Sequence, residues 1–563
     1  MVCRSVFVYP MTFPADGLVI FQGNDPWMHM RLAENMAHNW PWPMFYDHYT
    51  WFPHGSDMII PPMMSWLIAG AGYIVSFGFP SLHTLEVVGA WLPPILGSLC
   101  VIPMFFIGRE MHDKWTGILA AALIAVLPSG FMNRSLLGFA DHHVLEVLLA
   151  LCTIMFLTFG YRRQQTRYYI LAGVSLGLFN LSWQGAIFFL FIIWLWGVVQ
   201  YLVDHWHNED RGWRNIFWVF LIAAVFYLPW NYHAALPPIY AIASVGAMAT
   251  FPVLAFIVHK IKSKKRLALV LSGISVVILV GTYIFSPATL GLFEYAFAID
   301  PIRTISETMP MHPQIAFQLY GLNLVLMIGG LFVAMKRRQK PLLMIVFSLV
   351  VFVAVATQIR WDYYFVVAVS LMSAYFFCTL GMYFIKEVRR GVSLILCVAL
   401  LFVTLPVSLA VMQSMPLMYQ DWYVALQVLK ENSPEPFSDP DAYYELNLEE
   451  EPQYGVLSWW DYGHWITYVS RRVPVANPFQ QGAVEAAAFF VDGVDVPGVR
   501  YVIVDKAMLT NKYYAMVSFL GRSPYGISQA PEDAAISKLM RGELPGYRMI
   551  FAQNTVWVFE KET

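Results

Sequence analysis

Apolar runs of about 20 residues recur from Leu85 to Met412 and constrain the fold of this chain more than any other feature. A run of that length crosses a hydrocarbon layer of about 30 Å as an α-helix. The sequence is 58% apolar and only 13% charged, whereas a soluble domain is roughly one-quarter charged. Soluble cores cannot bury this composition, so the sequence predicts a polytopic α-helical membrane protein.

We predict twelve spanning helices and find no internal repeat. They lie at about 84–107, 115–133, 143–160, 168–182, 185–203, 214–231, 239–258, 267–286, 316–335, 341–358, 361–384 and 391–412.

The loops between these helices differ in positive charge. Six alternate loops carry 19 lysines and arginines, whereas the other five hold only Arg134, Arg303 and Arg360. Cytoplasmic loops are enriched in such residues. The cation-poor loops and both termini are therefore predicted to lie outside.

One further apolar stretch, Ile59 to Phe79, is not among the twelve predicted spans. A span there would place residues 1–58 on the opposite side of the membrane from the C-terminal tail. Its Pro61, Pro62 and clustered glycines favour a non-spanning outer-leaflet or re-entrant helix within a first outer loop, 1–83. No spanning helix precedes residue 23, which suggests a truncated or misassigned start.

The composition changes near residue 414, where prolines and acidic residues replace the apolar runs. Strand-like runs follow at Gly455 to Trp459, Arg500 to Val504 and Thr555 to Phe559. We predict a membrane domain at 1–413 and a mixed α/β domain on the extracytoplasmic side at 414–563.

Charge and cysteine content exclude several classes. The formal net charge is −2, and no long basic tract lies outside the short loops, so no nucleic-acid partner is expected. The five cysteines have neither zinc-site nor disulfide-framework spacing.

Two outer segments carry acidic residues beside histidine or proline. Asp25 precedes Pro26, and Asp141 stands two residues before His143. Oxygen and nitrogen ligands suit Mn²⁺, Mg²⁺ or Zn²⁺. Either aspartate is equally compatible with a helix N-cap, because aspartate is a favoured residue at that position.

The longest outer loop between spans, 287–315, carries Glu307 and is predicted to be mobile. Arg360 opens the next outward helix end, where a guanidinium can hold a phosphate or anchor at the interface. In the tail, Trp459 and Trp460 stand beside Asp461 and together offer two donors and an acceptor to a hydroxyl. A tryptophan pair that packs the domain core is the alternative.

The sequence Trp-Trp-Asp-Tyr-Gly at 459–463 resembles the signature of oligosaccharyltransferase catalytic subunits. Three weaker motifs match that family in the expected order: Asp25, Asp141 with His143, and Thr304-Ile305-Ser306-Glu307. The resemblance covers nearly the whole chain, and the Asp-x-His form is most similar to the archaeal single-subunit enzymes.

Two features depart from the family pattern. The family normally has thirteen spans, one of them before the first acidic motif. A later Asp-x-x-Lys-x-x-x-Met motif is matched only by Lys512 and Met516, because Leu509 stands in the acidic position.

The resemblance implies a fold of the GT-C type and assigns roles to individual residues. By this resemblance Asp25 and Glu307 are catalytic, and Asp25, Asp141 and His143 bind a divalent cation, Mn²⁺ or Mg²⁺. The acceptor sequon would be bound by Trp459, Trp460, Asp461, Lys512 and Met516. The donor phosphate would be bound by Arg360, His54 and His142.

The implied reaction transfers a glycan en bloc, with inversion, from a dolichyl or other polyprenyl phosphate or pyrophosphate to asparagine in Asn-x-Ser/Thr. The implied partners are a lipid-linked oligosaccharide, an acceptor polypeptide and membrane lipid, and the chain would act as a single subunit in the plasma membrane.

Two alternatives remain at this point. A membrane glycosyltransferase that uses a lipid-phosphate sugar to modify a hydroxyl needs no Trp-Trp-Asp-Tyr-Gly segment. A secondary transporter predicts mid-membrane charges and inverted repeats, and the sequence contains neither.

Overall fold

The computed structural model describes residues 1–14, 17–209, 213–234, 236–261, 263–285, 306–337, 341–384, 418 and 420–562. Over these ranges, a bundle of apolar helices is followed by a mixed α/β domain, which confirms the predicted fold class. The predicted boundary at 413–414 lies outside the described residues and stays a prediction.

The helical part has these longer helices: Asp25–His38, Met63–Val75, Leu82–Leu99, Val101–Met111, Lys114–Val126, His143–Arg163, Thr166–Asn180, Ile187–Trp206, Trp213–His233, Pro238–Lys260, Lys264–Phe285, Leu322–Lys336, Leu342–Thr357 and Asp362–Phe384. Shorter helices are Val2–Ser5, Tyr9–Thr12, Gly130–Asn133 and Pro313–Tyr320.

Within the described ranges, six helices are long and apolar enough to cross a membrane, or seven if one bent pair is a single span. Eleven of the twelve predicted ranges coincide with described helices, although several of these are short for a full span. The twelfth, 391–412, lies outside the described residues, so the number twelve stays a prediction.

Two predicted helices needed correction. The helix predicted at 115–133 ends at Val126, where Leu127 turns to a ψ of 130°. Leu127 precedes Pro128, and proline disfavours the α conformation of the residue before it. The helix predicted at 316–335 breaks at Gly321, whose φ is +49°. The two resulting helices meet at 94°.

The leftover apolar stretch forms the helix Met63–Val75 of 13 residues. At 1.5 Å per residue it is about 20 Å long, too short to cross a bilayer core. This length fits the prediction of a non-spanning helix within the first outer loop.

A small hairpin in the first outer loop pairs two strands of two residues each, β1 Tyr46–Asp47 and β2 Ser56–Asp57. The C-terminal domain is built on four further strands: β3 Gly455–Leu457, β4 Val499–Asp505, β5 Tyr547–Gln553 and β6 Val556–Lys561. These four form one sheet of order β3-β4-β6-β5.

Strand β3 is parallel to β4, and the other two pairings are antiparallel. The sequence predicted three of the four strands. It missed β5, an edge strand whose residues are all partly or fully exposed and therefore lack a clear apolar pattern. The domain also contains the helices Gln420–Asn432, Ala483–Asp492, Tyr513–Phe519 and Ala535–Met540.

The first outer loop and the C-terminal domain share one hydrophobic core, in which Trp27 of the loop lies with Trp459 of the domain. Polar contacts join the same two parts: Arg471 donates to Glu34 at 2.7 Å, and the Thr467 hydroxyl donates to the Tyr49 carbonyl at 2.8 Å. Together these contacts hold the segment that carries Trp-Trp-Asp-Tyr-Gly against the helix that begins at Asp25.

Candidate active site

Asp25 is the first residue of the helix Asp25–His38, and Asn24 occupies the cap position without a side-chain cap bond. The N-cap interpretation of Asp25 is therefore wrong. Although solvent reaches Asp25, loss of water to the surrounding protein and the charges of Asp141 and Glu307 raise its pKa to about 7. Carboxylates from three separate segments thus converge at one place.

Asp141 is fully buried in a cluster of three histidines. Its Oδ1 lies 2.6 Å from His142 Nδ1 and 3.1 Å from His29 Nε2. Its Oδ2 lies 3.6 Å from His143 Nε2. The next helix begins at His143 without a side-chain cap, so Asp141 is not an N-cap.

Charge keeps Asp141 ionised in this buried position. Burial by itself raises the pKa of the Asp141 carboxyl, but His143 and His142 outweigh burial and hold that pKa well below its usual value. A buried anion among imidazoles is a ready cation ligand, because carboxylate oxygen and imidazole nitrogen both coordinate divalent metals.

Sequence reasoning missed two members of the cluster, His29 and Glu146. His29 Nε2 lies 2.8 Å from His142 Nδ1. Glu146 is fully buried, and its Oε1 lies 3.1 Å from His143 Nδ1. Helical spacing carried the signal for both: His29 follows Asp25 by four residues, and Glu146 follows His142 by four, so each pair shares a helix face.

The donor set fits a divalent cation. Within the part of the chain that the structure describes, His29, Asp141 and His142 bring ligand atoms together, as do His142, His143 and Glu146. Neighbouring ligands of an octahedral cation with bonds of about 2.1 Å are about 3.0 Å apart. The separations of 2.6, 2.8 and 3.1 Å in the first group are close to that value.

The predicted metal set was Asp25, Asp141 and His143. The structure brings Asp141 near His143 and places Asp25 within electrostatic reach of Asp141. Asp25 does not belong to either group of converging ligand atoms found among the described residues.

Glu307 lies between two arginines. Its Oε2 accepts from Arg134 and its Oε1 from Arg360, each at 2.8 Å. Burial opposes ionisation, but the two guanidiniums lower the pKa of Glu307. The neighbouring Thr304 and Ile305 of the predicted motif lie outside the described residues, as does most of the loop 287–315.

Arg360 was predicted to hold the donor phosphate, and the structure pairs it with Glu307. His142 lies in the cluster around Asp141. His54 is solvent-exposed and packs its ring edge-on against Trp51, with the ring centroids 5.4 Å apart. The structure gives no direct contact between His54 and this cluster within the described residues, so its role stays a prediction.

The two tryptophans of the Trp-Trp-Asp segment differ in their environment. Trp459 is 1% exposed and packs edge-on against Phe519, which agrees with a core role for this residue. Trp460 is partly exposed, and its indole Nε1 is buried with no hydrogen-bond partner among the described residues. Asp461 accepts from Lys512 Nζ.

The two predicted elements of sequon recognition therefore meet. Lys512 also lies over the Tyr462 ring, with Nζ 4.5 Å from the ring centroid. Met516 is fully buried in the helix Tyr513–Phe519 and belongs to the same hydrophobic core as Trp459, so its side chain is not exposed to a peptide.

The indole of Trp465 donates to the carbonyl of Gly23 at 3.3 Å. Trp465 follows Asp461 by four residues, and Gly23 precedes Asp25 by two. This hydrogen bond and the shared core hold the Trp-Trp-Asp segment beside the acidic centre.

Two family models match the chain in succession. Residues 5–415 match the model described as oligosaccharyl transferase STT3, N-terminal, and residues 419–510 match the AglB core domain. The chain belongs to the oligosaccharyltransferase STT3 family. It is accordingly a glycosyltransferase, as the resemblance in the four motifs predicted.

Named archaeal relatives agree with this membership. The dolichyl-phosphooligosaccharide-protein glycotransferase 3 of Archaeoglobus fulgidus is 29% identical over 88% of this chain and 67% of its own length. The dolichyl-monophosphooligosaccharide-protein glycotransferase of Haloferax volcanii is 23% identical over 91% of this chain and 64% of its own length. The chain thus spans about two-thirds of the length of these relatives.

A solved oligosaccharyltransferase from Archaeoglobus fulgidus has the same fold in its apo form. The TM-score is 0.86 at 25% identity, over 98% of this chain and 78% of that one. The archaeal enzyme of that organism has also been solved with an inhibitory peptide and a dolichol-phosphate, with zinc and sulfate, and tethered to an acceptor peptide that contains an NVT sequon.

Proposed function

We propose that this chain transfers a glycan en bloc from a dolichyl phosphate or pyrophosphate donor to asparagine in Asn-x-Ser/Thr, as a single catalytic subunit. The observation that carries the proposal is the joining of two sites in one structure. Trp460 and Asp461 offer hydrogen bonds to a hydroxyl, and Trp465 ties them to the acidic centre at Asp25 and Asp141.

Asp25, Asp141 and His143 would hold a divalent cation, Mn²⁺ or Mg²⁺, with His29 and His142 close by. When bound, the cation supplies positive charge to the leaving phosphate as the glycosidic bond breaks. A related enzyme crystallised with zinc, which supports a divalent cation without selecting the physiological one.

Arg360 and His142 would bind the donor phosphate, with His54 as a more distant candidate. Arg360 is paired with Glu307 in this state. Because the same guanidinium cannot satisfy two anions fully, an incoming phosphate would weaken the pair and release the Glu307 carboxylate. Arg134 would remain paired with the Glu307 carboxylate and would balance part of its negative charge.

The acceptor amide is a poor nucleophile, because its lone pair is delocalised into the carbonyl. Asp25 and the released Glu307 would accept hydrogen bonds from the two amide protons and weaken that delocalisation. The amide nitrogen would then attack the anomeric carbon from the face opposite the phosphate, the bond from that carbon to the phosphate oxygen would break and release the lipid phosphate, and one amide proton would pass to one of the two carboxylates. Direct displacement of this kind inverts the anomeric configuration.

Recognition of the sequon would come from the hydroxyl two residues after the asparagine. The Asp461 carboxylate can accept a hydrogen bond from that hydroxyl, and the Trp460 indole N–H, which has no partner among the described residues, can donate one to its oxygen. A site built to hydrogen-bond a hydroxyl can reject the analogue that lacks it by about 10⁴ to 10⁵. A serine or threonine at that position is therefore required.

The test is transfer from an archaeal membrane lipid extract to a fluorescent Asn-x-Thr peptide, before and after EDTA treatment. We expect product that disappears with EDTA and returns with added Mn²⁺ or Mg²⁺. Product that survives complete metal removal would contradict the cation role. Transfer to a serine or threonine hydroxyl in a peptide without asparagine would favour the hydroxyl-modifying class.

A further inference from the structure

Glu146 is a buried carboxylate that none of the assigned roles uses. It lies on the first turn of the helix His143–Arg163 and is fully inaccessible to solvent. Its Oε1 lies 3.1 Å from His143 Nδ1 and 3.2 Å from His142 Nε2. A single oxygen therefore stands behind two imidazole rings.

The second oxygen of Glu146 is held by phenols from another helix. Tyr364 donates to Oε2 at 2.6 Å, and Tyr363 lies 3.2 Å from the same oxygen. Both tyrosines are in the helix Asp362–Phe384, which begins two residues after Arg360. The orientation of the carboxylate is thus fixed from two sides before any cation binds.

Each ring has its other nitrogen on the side of Asp141. His143 Nε2 lies 3.6 Å from Asp141 Oδ2, and His142 Nδ1 lies 2.6 Å from Asp141 Oδ1. Both imidazoles consequently lie between two buried carboxylates, with Glu146 behind them and Asp141 in front.

This arrangement selects a tautomer. A neutral imidazole has one N–H donor and one lone-pair nitrogen, and an ionised carboxylate only accepts hydrogen bonds. If His143 donates its Nδ1–H to Glu146, its lone pair is on Nε2 and points toward Asp141. Metal-binding histidines usually donate their other ring N–H to such a partner, which fixes the ring and raises its basicity.

We infer that Glu146 is a positioning residue that orients His143 toward the cation site. The inference rests on the cation of the proposed function. Glu146 is not itself assigned as a ligand, because Tyr364 and Tyr363 occupy its second oxygen and the two histidine nitrogens face its first.

The test measures Mn²⁺ binding to the purified full-length protein in detergent, without donor or acceptor, by titration calorimetry and by the EPR signal of free Mn²⁺. Loss of a carboxylate partner behind a metal-binding histidine typically weakens metal binding by about 10- to 100-fold. We expect about 10-fold weaker binding for Glu146→Gln, up to about 100-fold for Glu146→Ala, and a smaller loss for Tyr364→Phe.

A matched control is Asp204→Asn. Asp204 is also buried, and its carboxylate accepts from the Tyr161 hydroxyl at 2.8 Å. Tyr161 lies in the last turn of the helix His143–Arg163, at the opposite end from Glu146. This variant controls for the general cost of neutralising a buried, tyrosine-bonded carboxylate. We expect its Mn²⁺ affinity to equal that of the unmodified protein.

A second readout separates positioning from folding. If Glu146 positions His143, Glu146→Gln raises the Mn²⁺ concentration that gives half-maximal glycan transfer, and saturating Mn²⁺ restores the rate. A purely structural role would lower the rate at every Mn²⁺ concentration and would lower the melting temperature without shifting the metal affinity.

Several results would overturn the inference. The first two are an unchanged Mn²⁺ affinity in both Glu146 variants and a loss of Mn²⁺ affinity in Asp204→Asn as large as that in the Glu146 variants. The other two are no Mn²⁺ binding by the unmodified protein and loss of one of two bound Mn²⁺ ions in Glu146→Ala. The last would make Glu146 a ligand of a second cation. Mn²⁺ binding with the expected losses but no glycan transfer would refute the proposed function and leave the positioning role standing.

Discussion

Asp461→Asn is expected to lower the preference for threonine over alanine in the acceptor peptide by about 10- to 150-fold. Asp461 follows Trp460, whose indole N–H has no hydrogen-bond partner in the described part of the chain, and the Asp461 carboxylate accepts from Lys512 Nζ. Asparagine keeps the size of the side chain but replaces the charged acceptor with a neutral amide.

The magnitude follows from one charged hydrogen bond. A hydrogen bond to a charged group contributes about 1.5–3 kcal/mol, which corresponds to about 10- to 150-fold in kcat/KM at 1.4 kcal/mol per factor of ten. The loss is expected only with an Asn-x-Thr peptide, because an Asn-x-Ala peptide makes no such bond. The ratio of kcat/KM between the two peptides should fall by the same factor.

The assay is a double-mutant cycle across enzyme and peptide, with a fluorescent glycopeptide shift as the readout. The matched control is Asp492→Asn, which breaks the exposed ion pair with Arg522 at 2.7 Å in the same domain. Exposed pairs contribute little, so this variant should keep the full ratio. If Asp461→Asn slows both peptides equally, Asp461 does not read the hydroxyl and the reasoning is refuted.

Three further predictions concern other parts of the molecule. The pKa of Asp25 is raised to about 7 without a cation, so a cation that binds its carboxylate must displace a proton at low pH. Mn²⁺ affinity should therefore fall by about tenfold per pH unit below pH 7 and be constant above it. An affinity that does not change from pH 5.5 to 8 would count against Asp25 as a ligand. Glu307→Gln should lower kcat by about 10² to 10³, because a preorganised partner of the reacting amide is lost, with little change in peptide binding by fluorescence anisotropy; an unchanged kcat would remove Glu307 from catalysis. Arg472→Ala should destabilise the protein by about 1.5–3 kcal/mol, because the buried guanidinium of Arg472 donates to the carbonyls of Lys430 and Ser433 and a hydrogen bond to a charged group contributes about that much; a melting temperature equal to that of the unmodified protein would contradict this.

Most residues of the site could be predicted from the sequence, but their arrangement relative to one another could not. Motif order brought out Asp25, Asp141, Glu307 and Asp461, and the structure brings the first three together. Periodicity alone gave no reason to join the tail to the first outer loop, because that contact depends on a shared core and on the bond from Trp465 to Gly23.

Histidines and carboxylates inside helices were harder to predict. His29 and Glu146 each stand between two apolar residues in the sequence, where a single polar residue gives no signal unless its helical phase relative to another ligand is considered. Helix lengths failed for a different reason, since Leu127 before Pro128 and the left-handed Gly321 end helices inside stretches that remain apolar. Hydropathy registers the apolar run but not the backbone break within it.

The most direct test is mass-spectrometric analysis of three peptides incubated with the purified chain, a lipid-linked glycan donor and Mn²⁺. The peptides differ only in the sequon: Asn-x-Thr, Gln-x-Thr and Asn-x-Ala. We predict an intact glycan on the asparagine of Asn-x-Thr, none on Gln-x-Thr, and at least about 10³-fold less on Asn-x-Ala, allowing for incomplete use of the full rejection of about 10⁴ to 10⁵. Equal glycosylation of Asn-x-Thr and Asn-x-Ala, or a glycan attached to the threonine hydroxyl, would contradict sequon-directed transfer to asparagine.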